Sequence, residues 1–123
     1  MKTVLTPEEE SVYRELIKVA SKCGGIDCSD LCQRAGLKLD MSVPADRGKI
    51  GSILGNISFY EYEAGRPLLS SVVVSKNNKR GDGFFKLAEE LGYGDWQKLK
   101  REGKFAYDMM NATHDFWSKN KLK

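Results

Sequence analysis

The stretch GRPLLSSVVVSKNNKRGDGFFKLAEELG, residues 65–92, decides how the chain is read. Gly65 and Pro67 stop whatever helix precedes them, because glycine takes the left-handed stop and proline has no N–H to continue the ladder. The run LLSSVVVS that follows is rich in β-branched residues and predicts a strand. KNNKRGDG is turn chemistry, since Asn, Asp and Gly tolerate left-handed backbone. FFKLAEELG then opens as a short return strand and becomes a helix by Leu87, closed by Gly92. Strand, basic turn and return segment together predict a β-hairpin.

Upstream of it, TPEEESVYRELIKVASKCGG reads as a helix. Thr6 caps, Pro7 fits the first helical position and Glu9 completes a capping box. Val12, Leu16, Val19 and Ala20 recur at helical spacing, and Gly24 and Gly25 end the segment. A short helix follows, capped by Asp27 or Ser29 and stopped by Gly36. A third runs from about Pro44 to Ala64, with Ile50, Ile53, Leu54 and Ile57 on one face. Gly48, Gly51 and Gly55 share a neighbouring strip, which predicts close approach of another backbone, because each glycine costs about 1 kcal/mol in a helix interior. Downstream, Asp95 caps a last helix to Asn120. Trp96, Leu99, Gly103, Ala106, Met110, Thr113 and Trp117 form its packing face, and Gly103 is able to kink or split it.

This element order predicts an α+β, mostly helical fold: one winged helix-turn-helix-like domain over residues 1–123, with a short β-hairpin wing and a helical C-terminal extension. Gly-Arg-Pro-Leu-Leu-Ser, then Val-Val-Val, then Gly-x-Gly-Phe-Phe-x-Leu-Ala-x-x-Leu-Gly resembles a family of small bacterial and phage proteins, without implying an activity. In element order the chain also resembles the winged-helix part of DNA alkyltransferase-like proteins. Their Pro-Cys-His-Arg-type motif is replaced here by Arg66-Pro67-Leu68-Leu69-Ser70, so alkyl transfer is not implied.

The chain has 123 residues, 41% apolar and 30% charged, with 20 Lys+Arg against 17 Asp+Glu. That is the composition of a folded domain whose net charge of +3 permits nucleic-acid binding without demanding it. No membrane span is expected, and MKTVLTPEEE lacks a hydrophobic signal region, so a cytoplasmic location is expected. Cys23, Cys28, Cys32 and the single His114 make a Cys3His set, but the C-x4-C-x3-C spacing lacks the C-x2-C knuckle of common zinc folds, so no metal is expected. No cofactor is expected either.

Lys76, Asn77, Asn78, Lys79 and Arg80 are the phosphate-contacting candidates on the wing turn, joined by Arg47 and Lys49 near the start of the third helix. The leading expectation is a non-enzymatic nucleic-acid-binding or regulatory module with DNA as partner. The alternative is a protein-interaction module, an inhibitor or adaptor, meeting a partner protein or a second copy through an apolar helix face. A third reading is a small enzyme or ligand binder built on Arg66, Ser70 and Asp82 at the Gly-rich turn. Arg66 is expected to pair with Asp82 or Glu63. There is no G-x-S-x-G elbow, and no catalytic residue is assigned.

Overall fold

The computed structural model describes residues 4–74 and 82–120. Six α-helices carry them: α1 (Pro7–Ser21), α2 (Cys28–Arg34), α3 (Pro44–Glu63), α4 (Asp82–Glu90), α5 (Trp96–Glu102) and α6 (Lys104–Lys119). A 3-10 turn, Leu69–Val72, lies between α3 and α4.

The first helix starts as its sequence dictates. Glu9 N–H donates to Thr6 Oγ1 (3.1 Å), and Thr6 N–H donates to Glu9 Oε1 (2.9 Å). Asn56 Nδ2 donates to the other Glu9 oxygen, so one buried carboxylate both caps α1 and ties it to α3. The helix ends in a Schellman turn whose left-handed residue is Cys23 (φ 55°) rather than a glycine. Gly24 N–H reaches the Val19 carbonyl (3.0 Å) to close it. α6 runs against α1 and buries Ala106, Thr113 and Trp117. The last helix is split: Gly103 takes φ 70° and separates α5 from α6.

The winged, α+β expectation fails at the run after Pro67. Among the described residues no strand ladder forms, and the one isolated bridge pairs Ile26 with Val73. Ser71 N–H bonds to the Leu68 carbonyl (3.1 Å) and Val73 N–H to the Ser70 carbonyl (3.0 Å), which is 3-10 geometry. The expected return strand is absent too, because α4 already includes Phe84 and Phe85. The KNNKRG turn lies outside the described residues.

The physical reason is burial on every side. A hairpin strand alternates one face to the core and one to water. Here Leu68, Leu69, Ser70, Ser71 and Val72 are all buried, with α1, α3 and α6 around them. The two serines are accommodated because each finds a hydroxyl partner: Ser70 meets Ser58 at 2.7 Å, and Ser71 meets Thr113 at 2.9 Å. Packing has overridden β propensity, which measures fit to a half-buried sheet surface.

What holds this turn in place is the end of α3. Gly65 (φ 75°) is the left-handed residue of a second Schellman turn, in which Arg66 N–H bonds to the Glu61 carbonyl (2.9 Å). That turn swings the Arg66 side chain back over the Glu61 carboxylate. Its Nε donates to both oxygens at 3.1 Å, and its Nη2 to Oε1 at 3.0 Å. Glu61 is fully buried, and Tyr13 Oη also donates to it (2.8 Å). The Arg66 guanidinium rests over the Tyr60 ring at 5.5 Å. Arg66 therefore pairs with Glu61, not with the expected Asp82 or Glu63, because the Schellman geometry brings residues five apart together.

Removing one partner of such a pair strands the other. We expect Arg66→Ala to cost about 3–5 kcal/mol of folding free energy, and the joint change Glu61→Leu with Arg66→Met to cost much less. Urea denaturation of the three chains checks this. Burial, then the Glu61 carboxylate, pushes the Tyr13 hydroxyl well above its ordinary range. The unfolded chain then loses that proton first, near pH ~10. The stability this contributes is complete below that pH and declines as pH rises further. Tyr13→Phe should flatten the alkaline part of the stability curve, read by denaturation at pH 8 to 11.

Candidate functional site: a groove between α3 and α4

Two sides of α3 do different work. Ile50, Ile53 and Ile57 enter the core with α1 and the 3-10 turn. Gly48, Gly51, Gly55 and Phe59 face α4 across a gap. The expected close approach of another backbone is not found among the described residues: a Cβ at Gly48, Gly51 or Gly55 would meet none of their atoms within 4 Å. Gly25 is where such closeness occurs, with Val74 Cγ2 at 3.0 Å and the Val72 carbonyl at 3.4 Å from a Cβ placed there.

The gap has walls because α4 leans away from α3 and packs mainly on α5. Phe84 meets Phe85 edge to face (5.3 Å) and Phe105 at a tilt (5.8 Å), and Tyr93 meets Phe105 at a tilt (5.1 Å), which makes a second aromatic cluster beside the main core. Tyr62 and Tyr93, 6.0 Å apart edge to face, join α3 to the loop beyond α4. Between these anchors lies a cavity of about 580 Å³, with Gly83, Phe84 and Leu87 on the α4 side and Ser70 and Val73 along its base. A second lobe of about 370 Å³ continues past Cys28, Gly51, Leu54 and Val73, which line both, towards Met41 and Arg47. The larger lobe is within the ~300–1,000 Å³ usual for ligand pockets.

The polar groups of this groove are largely occupied. Asn56 donates to Glu9, Ser70 is bonded to Ser58, and the Asp27 carboxylate caps α2 through Asp30 N–H (2.8 Å). Burial, and then Asp27, pushes the Cys28 thiol up, so it stays protonated and weakly nucleophilic. The surface is suited to apolar groups, and among the described residues no serine or cysteine of the lining is hydrogen-bonded to a base.

The sequence-predicted residues are scattered. Arg47 is exposed and lines the second lobe, while Lys49 Nζ lies 3.6 Å from Glu8. Lys76, Asn77, Asn78, Lys79 and Arg80 lie outside the described residues. Of the Arg66, Ser70 and Asp82 trio only Ser70 reaches the groove; Arg66 is engaged by Glu61, and Asp82 is paired with Lys100. Cys23 is exposed, Cys32 is buried, and His114 Nε2 is bonded to the Gly24 carbonyl (2.9 Å). Among the described residues no three or more His, Cys, Asp or Glu side chains are grouped to hold a metal. None of the described helices is long and apolar enough to cross a membrane.

Sequence reasoning missed the groove itself. The glycine strip was its visible signal, but spacing alone does not tell a packed face from an open one. No protein-family model, curated protein or solved structure matches the chain.

If the glycine face is open, alanine should improve the helix. We expect Gly48→Ala, Gly51→Ala and Gly55→Ala each to stabilise the fold by about 0.5–1 kcal/mol, measured by thermal or urea denaturation.

Proposed function

We propose that the chain is a non-enzymatic binding module whose working surface is the groove between α3 and α4, with a partner protein as its occupant. The observation that carries this reading is the 580 Å³ apolar cleft with its 370 Å³ extension, floored by residues whose polar atoms are already bonded within the fold. A fold gains by closing such a cleft, since it leaves apolar surface in water. The helix glycines on its wall weaken α3 while filling none of it. A surface that a partner covers accounts for both costs.

The nucleic-acid reading draws less support from the same geometry. Lys49 is partly neutralised by Glu8. Residues 1–75, which include α3, hold nine Lys+Arg against ten Asp+Glu, where phosphate binding calls for a cationic face.

Two titrations of the full chain test the proposal: the neutral apolar fluorophore N-phenyl-1-naphthylamine, and a labelled 20-base-pair DNA duplex. We expect the fluorophore to bind, and Gly51→Leu and Gly55→Leu to weaken it about tenfold, a loss of ~1.4 kcal/mol. Both variants should keep the wild-type circular dichroism. Fluorophore binding unchanged by both variants contradicts the groove. Salt-dependent duplex binding that both variants leave intact would return the nucleic-acid reading to first place.

A further inference from the structure

Resting on that reading of the groove, we infer that its occupant is one amphipathic helix of about three turns, with apolar anchors on one face, a carboxylate at the Arg47 end and a cation at the Glu90 end. Length comes first. From Arg47 to Phe59 α3 rises about 18 Å at 1.5 Å per residue, so the lined wall matches three to four turns of a helix laid beside it. Width comes next. The absent side chains at residues 48, 51 and 55 let a neighbouring backbone approach, and the open space there is continuous with both lobes. Two apolar lobes in series suit side chains spaced i and i+3 or i+4 on a docked helix, which is how helix-in-groove recognition works.

Charge supplies the polarity. Arg47 lines the far lobe, and Glu90 lines the near one. The ring contact of Tyr62 with Tyr93 puts the C-terminal ends of α3 and α4 together, so Arg47 and Glu90 mark opposite ends of the groove. Among the described residues neither side chain forms an ion pair. The remaining charges on the lining are engaged: Lys86 Nζ sits 5.0 Å from the centre of the Trp96 ring, and Asp27 caps α2. An occupant with a carboxylate near Arg47 and a cation near Glu90 complements both ends, and such complementarity sets register and excludes wrong partners.

The test is selection of a displayed library of 16-residue helical peptides, randomised on one face, against the full chain. The groove-filled Gly51→Leu/Gly55→Leu double variant serves as the counter-target, after its circular dichroism is shown to match. Enriched peptides should carry apolar residues at i, i+3 or i+4 and i+7, with an acid at one end and a base at the other. Synthesised, they should bind about tenfold more weakly to Arg47→Glu, and selection against Arg47→Glu should replace the terminal acid by a base. Peptides that bind the double variant equally well, or whose charges are indifferent to Arg47→Glu, overturn the inference. If the fluorophore binds but no helix is enriched, the helical occupant alone is wrong. If neither binds, the groove reading falls with it.

Discussion

A carboxylate with no exposed surface dictates the layout of this chain. Glu61, near the end of α3, is held by two nitrogens of Arg66 in the turn that leaves that helix and by the Tyr13 hydroxyl from the middle of α1. An unpaired charge there would be costly to bury, so these parts are constrained to meet in one geometry. Once they meet, Pro67 and the residues after it have only one course, inward between α1, α3 and α6. The buried 3-10 turn is the consequence, and its hydroxyls lock onto Ser58 and Thr113.

That constraint also explains the groove. With the chain pinned into the core through Val74, α4 is assembled from a second cluster of aromatic rings around Phe84, Phe105 and Tyr93, and meets α3 only sparsely. The two clusters leave a trough between them, walled by glycines on one helix and by Phe84 and Leu87 on the other. α3 is thus a shared wall: its isoleucines belong to the core, and its glycines and Phe59 belong to the trough. One helix thus carries both a core face and the wall of the trough, which would set the proposed binding surface on a stable element.

Much of the helical framework was legible in the sequence because its signals are local. The Thr6–Glu9 capping box, the Asp95 cap, the isoleucine face of α3 and the break at Gly103 all depend on residues within a turn of one another. The run from Leu68 to Val74 was not legible, since its β-branched composition describes a residue preference, while its conformation follows from contacts made by Ser58, Thr113 and α1. The partner of Arg66, expected to be Asp82 or Glu63, was not legible either, because it depends on a Schellman turn closing five residues back on Glu61. The glycine strip was visible, yet its meaning turned on whether another element would cover it. That depends on where α4 settles, and no local pattern encodes it.

The most direct measurement is a ¹⁵N-resolved NMR titration of the full chain with N-phenyl-1-naphthylamine, because glycine amides fall in an open part of that spectrum. If the groove is the working surface, the amides of Gly48, Gly51, Gly55 and Gly83 shift together, while Gly36 and Gly94 stay still. Shifts confined to the Tyr93–Phe105 side, with the α3 glycines unmoved, would contradict the account.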